Sequence, residues 1–171
     1  MKTNPLLFSA NELLTAYSNK AMSPVEATKA ILDHIANYDK KLNAFRLIDE
    51  EKALESARAS EKRWSQGTPA GLVDGIPTTI KDLVATKGWS TRRGSLTTND
   101  EGPWDEDAPL VARLRANGAI LLGKTTTPEF GWKGVTDSPL TGITRNPWDL
   151  TKTPGGSSGG AAVALACDMV K

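Results

Sequence analysis

"EDAPLVARLRANGAILLGKT", Glu106 to Thr125, decides the class of fold. Pro109 falls in the first turn of a helix, where its missing N–H costs nothing and its fixed φ suits the geometry. Gly118 is the C-terminal stop, and "AILLGK" after it is a buried strand. A helix running through a glycine into an apolar strand is the pattern of an α/β fold. The same stretch contains a misleading motif. "GAILLGKT" matches G-x-x-x-x-G-K-[ST] letter for letter. A phosphate loop needs a flexible turn between strand and helix, whereas Ala-Ile-Leu-Leu favours a strand, and Pro128 leaves little room for the helix. We read it as strand.

Upstream, the pattern is helical. Ser9 and Glu12 form a capping box before "LLTAYSNKAM". Ser23, Pro24 and Glu26 combine a cap, a proline at the first helical position and the reciprocal glutamate. Val25, Thr28, Ile31, Leu32, Ile35 and Tyr38 then recur at helical spacing and define an inward face. "NAFRLID" reads as a short strand. "DEEKALESARASEKRWSQG" reads as a charged surface helix with Ala53, Ala57 and Trp64 inward and Gly67 ending it. From Gly67 onward glycine and proline become frequent, and "VDGIPTTIKDL" reads as a turn at Asp74-Gly75 entering a strand. The chain therefore divides into a helical stretch, 1–66, and a glycine-rich core, 67–171, within one domain.

Bulk properties exclude several classes. The 171 residues suffice for one domain with a real core. A net charge of +1 gives no electrostatic reason to expect nucleic acid or a membrane surface as partner. The longest apolar runs are far too short to span a bilayer. The single cysteine, Cys167, forms no internal disulfide and reads as a small buried apolar residue. No charged-then-apolar leader opens the chain, so the expected compartment is cytoplasmic. No cofactor or metal is called for.

"TPGGSSGG", Thr153 to Gly160, admits three readings. It resembles a flexible linker in composition, but tryptophan and proline precede it and the small-residue helix "AAVALA" follows, which suggests a buried turn. A glycine-rich turn at a helix N-terminus also offers N–H groups to an anion, as in the loops of small-metabolite kinases. The third reading is serine chemistry. That usually requires histidine, yet the only histidine, His34, sits in the amphipathic helix beside Ile35 and reads as a packing or surface residue. A lysine can serve instead if burial keeps it neutral. Lys81, at the end of "GIPTTI", projects from a core strand and is the candidate.

Taken together, "DGIPTTIKD", "GAILLGKTTTPEFGW", "TRNPWD" and "TPGGSSGGAAVALA" resemble, in order and spacing, the amidase signature family. The resemblance covers roughly Glu26 to the end. It implies part of an α/β/α fold around a mixed sheet. It also implies hydrolysis of a carboxylic amide C–N bond by a Ser–cis-Ser–Lys group. By motif, Lys81 matches the family lysine and Ser157 the serine after a cis peptide bond. Ser158, Gly155 and Gly156 match the supporting network. Trp132 falls in the stretch that borders the family's acyl pocket, and packing is an equal reading for it. Such a bond before a non-proline residue costs about 2.5–4 kcal/mol and needs enforcement by its surroundings.

The family's nucleophile lies further along, in a motif like "GTDxGGS" that this sequence lacks. The resemblance thus implies an N-terminal portion of an amidase, inactive alone, with a small-molecule amide as substrate and homo-oligomerisation left open. Three alternatives stand beside it. One is the ammonia-supplying component of an amidotransferase, although "TPEFGWKG" looks more like the free-standing amidases. The others are a kinase-like phosphate loop and a non-catalytic binding module.

Overall fold

The computed structural model describes residues 4–171. Five helices and a three-stranded sheet form its framework. Helix α1, Ala10–Ser18, begins with the expected capping box: the Ser9 N–H donates to Glu12 Oε2 at 2.7 Å and the Glu12 N–H donates to Ser9 Oγ. Helix α2, Pro24–Leu42, repeats the device with Ser23 and Glu26. It ends at Asn43, whose left-handed φ of 54° turns the chain into strand β1, Phe45–Ile48. Helix α3, Glu50–Ser65, is capped by Asp49 and followed by Gly67 at φ 69°.

Strand β2 spans Pro77–Lys81, helix α4 Pro109–Ala116 and strand β3 Ile120–Thr125. The sheet order is β1-β3-β2. β2 runs parallel to the central strand β3, and β1 runs antiparallel to it, so the sheet is mixed. β1 comes from the helical stretch and pairs with a strand of the glycine-rich stretch, which joins both into one sheet. A two-stranded ribbon, β4 (Asp137–Ser138) and β5 (Gly142–Ile143), precedes helix α5, Gly159–Ala166.

Alternation along β3 builds the layers. Ile120 and Leu122 pack with Ile31, Ile35, Ala53 and Val163, so α2, α3 and α5 cover one face. Leu121 joins Ile80, Trp89 and Val111 on the opposite face, with α4. A central strand covered on both sides must be apolar throughout, which is why "AILL" shows no polar alternation. Each such aliphatic side chain contributes about 1.5–3 kcal/mol on full burial. The Gly118–Thr125 segment is this strand and not a phosphate loop.

Two sequence expectations need correction. Tyr38 is 52% exposed although Leu42, one turn further along α2, is buried, and its ring sits 4.6 Å from that of His34. Cys167 is only half-buried, since it follows the last turn of α5 near the surface. His34 packs there too, its Nε2 2.8 Å from the Cys167 carbonyl oxygen.

Candidate active site

The end of β2 and the start of α5 meet at one point. Lys81 Nζ lies 2.9 Å from Ser157 Oγ and 2.9 Å from Ser158 Oγ. Lys81 is half-buried, and desolvation holds its amine below the ordinary value of 10.5. A lysine so placed loses its proton more readily than one in water. Ser157 is half-buried and Ser158 exposed.

The four glycines of "GGSSGG" divide into two kinds. Gly155 and Gly156 have φ values of 75° and 55°, left-handed conformations that suit glycine and that fold the turn. Gly160 serves close approach: a Cβ there would lie 2.6 Å from the Ala44 carbonyl oxygen and 2.6 Å from the Thr126 nitrogen. Its absence lets the first turn of α5 rest directly on the ends of β1 and β3. α5 in turn presents the two serines to Lys81.

Buried threonines hold the turn. Thr136 Oγ1 donates to the Gly156 carbonyl at 2.5 Å and accepts the Gly159 N–H at 3.0 Å. Thr127 Oγ1 donates to the Ser157 carbonyl at 3.3 Å. Sequence reasoning finds neither. Nothing in the spacing of isolated threonines marks them, because their partners are backbone atoms about 20 and 30 positions away.

A second group lies behind the lysine. Asp82, the next residue, is buried between Arg46 and Lys124. Arg46 Nε lies 2.8 Å from Asp82 Oδ2, with its N–H directed off that line. Lys124 is 0% exposed and donates to the Val84 carbonyl, Thr86 Oγ1 and Thr91 Oγ1. Burial pulls the Lys124 amine down to about 8 and pushes the Asp82 carboxyl up, while the cationic neighbours pull Asp82 back. Arg46 comes from β1 and Lys124 from β3, and together they pin Asp82 and the segment after β2 over the sheet end. The lysine of the false phosphate motif is thus a buried anchor of this segment.

One implied feature differs. The peptide bond before Ser157 is trans, and the cis bond among the described residues is Gly102–Pro103. A cis bond before serine would cost about 2.5–4 kcal/mol. The left-handed glycines already bring Ser157 to Lys81 without it. Trp132 follows the 3-10 turn Glu129–Gly131 and is 80% exposed. Among the described residues, no three acidic, histidine or cysteine side chains converge on a metal position, and no helix is long and apolar enough to cross a membrane.

A half-buried lysine thus contacts two adjacent serine hydroxyls at the end of a mixed α/β sheet. The chain belongs to the Amidase family, whose model matches residues 26–171. It is 43% identical over 159 residues to a glutamyl-tRNA(Gln) amidotransferase subunit of Salinispora tropica, covering 93% of this chain and 32% of that protein. It is 41% identical to the indoleacetamide hydrolase of Bradyrhizobium diazoefficiens, covering 95% and 31%. The fold superposes on a bacterial aryl acylamidase of the amidase signature family at a TM-score of 0.90 and 35% identity, over 95% of this chain and 34% of that one. The peptide amidase of Stenotrophomonas maltophilia gives 0.88 at 31% identity, over 96% and 35%. The chain therefore spans about a third of the length of the relatives it matches.

Proposed function

We propose that this chain supplies the lysine and the bridging serine of an amidase that hydrolyses a carboxylic amide to acid and ammonia or amine. The observation that carries the reading is the contact of Lys81 Nζ with Ser157 Oγ at 2.9 Å. Neutral Lys81 accepts the Ser157 proton, and Ser157 takes a proton from a nucleophilic hydroxyl as that oxygen attacks the amide carbonyl carbon. The returned proton goes to the leaving nitrogen as the C–N bond breaks, and water then releases the acid. Ser158 holds Lys81 from the other side, and Gly155 and Gly156 set the turn. No motif of these 171 residues supplies that nucleophilic hydroxyl, and the proposed relay predicts no amide turnover by the 171-residue chain alone. The compartment proposed is cytoplasmic.

The test is made in an enzyme carrying this sequence as its N-terminal portion. Lys81→Ala and Ser157→Ala should each lower kcat by about 10²–10⁴-fold, the range for losing a general base. Near-normal rates in either variant would overturn the assignment.

A second reading is favoured by the 43% identity to an amidotransferase component. In it the same lysine–serine relay releases ammonia from an amide donor for transfer. Glutaminase activity that rises when partner proteins are added would select this reading over a free-standing amidase.

A further inference from the structure

The two serines at Lys81 are not equivalent. Ser157 is half-buried, and its carbonyl is held by Thr127. Ser158 is exposed, occupies the N-cap position of α5 and makes no side-chain capping bond there. An N-cap serine ordinarily turns its oxygen onto the helix N–H groups. Here Ser158 Oγ is instead directed to Lys81 Nζ at 2.9 Å. In the first turn of α5 the Gly159 N–H is taken by Thr136 Oγ1, and Ser158 caps none of the N–H groups that follow.

We propose that Ser158 is itself an acyl acceptor, taking an acyl group from an activated ester with Lys81 as the proton acceptor. The inference rests on the reading of Lys81 as a neutral base. Ser158 Oγ attacks the carbonyl carbon of the ester and forms a C–O bond while its proton passes to Lys81 Nζ. The tetrahedral intermediate expels the alkoxide or phenoxide as the original ester C–O bond breaks. The lysine then returns its proton to that leaving group or to water. No oxidation or reduction occurs, and the product is an O-acyl serine. A neutral amine has one lone pair and serves one hydroxyl at a time. The solvent-facing hydroxyl is the one a bulky ester reaches.

The experiment uses the 171-residue chain and p-nitrophenyl acetate, with intact mass, peptide mapping and hydroxylamine treatment. The expected result is a single acetyl group on Ser158, removed by hydroxylamine as an ester should be. Ser158→Ala should lose it. Lys81→Met and Lys81→Arg should slow its formation about a hundredfold, and the arginine variant keeps the size and hydrogen bonding but takes up no proton. Circular dichroism identifies any variant that has not folded. An acetyl ester on Ser157 would overturn the inference and leave the Lys81–Ser157 relay standing. Hydroxylamine-stable acetylation of amines alone, or ester formation indifferent to Lys81, would overturn the inference together with the base role of Lys81.

Discussion

Lys81 Nζ and Ser157 Oγ, 76 positions apart in the chain, lie 2.9 Å from each other. The distance is set by two rigid elements. β2 carries the lysine at its end, and α5 carries the serines at its start. α5 reaches that position because Gly160 lets it lie against Ala44 and Thr126. The site is therefore a product of packing as much as of its polar atoms.

The glycine contact leads to a first prediction. Gly160→Ala places a methyl 2.6 Å from the Ala44 carbonyl oxygen, inside van der Waals contact with backbone that has little room to move. Overpacking of this kind costs about 1–3 kcal/mol. Chemical denaturation should show that loss. It should also show Lys81 becoming more reactive to acylating reagents as α5 moves away and the serines release it.

Thr136 provides a second test. Its hydroxyl both donates to Gly156 and accepts the Gly159 N–H. Thr136→Val keeps the volume and removes both bonds, leaving a buried N–H unpaired. The expected cost is about 1–3 kcal/mol. Amide hydrogen exchange should locate it, with Gly159 losing protection while β3 keeps its own. Uniform loss of protection across the sheet would contradict a local clamp.

A third prediction concerns pH. Asp74 is buried, which raises its carboxyl, but bonds from Arg63 Nε at 2.8 Å, Arg63 Nη2 at 2.6 Å and the Ala70 N–H outweigh that and hold it below the ordinary 3.8. A carboxylate depressed on folding contributes stability that is fully present above its unfolded value and is lost as pH falls through the folded value. The wild-type chain should therefore lose this contribution only in acid below 3.8. Asp74→Asn should lower stability by about 2 kcal/mol at neutral pH and flatten the acid limb of the stability profile. An unchanged acid limb in the variant would remove Asp74 from the account.

Much of this was legible in the residues themselves. The capping boxes of α1 and α2 and the helix-to-strand passage at Gly118 rest on local rules, and each forms where those rules place it. Lys81 and the serine pair were legible only as a pair of motifs, since neither the strand-end lysine nor the glycine turn is distinctive alone. Tyr38 keeps helical spacing yet stays exposed beside His34, because periodicity gives a face and not which of its positions a neighbouring element covers. Thr127, Thr136 and the Arg46–Asp82–Lys124 group were invisible for another reason. Their roles consist of contacts to backbone and charges brought together by the sheet. The trans bond before Ser157 departs from what the family resemblance implied, and the left-handed Gly155 and Gly156 perform the turn in its place.

The most direct measurement is the titration of the Lys81 amine in the folded chain, followed by NMR of lysine labelled at the ε-carbon, with Lys81→Arg to assign the signal. Desolvation beside Ser157 and Ser158 predicts a midpoint below the ordinary 10.5, so that the neutral base is populated at lower pH than in a free lysine. A midpoint at or above 10.5 would mean that Lys81 stays an ammonium donating to two serines, and it would contradict its role as the base of this site.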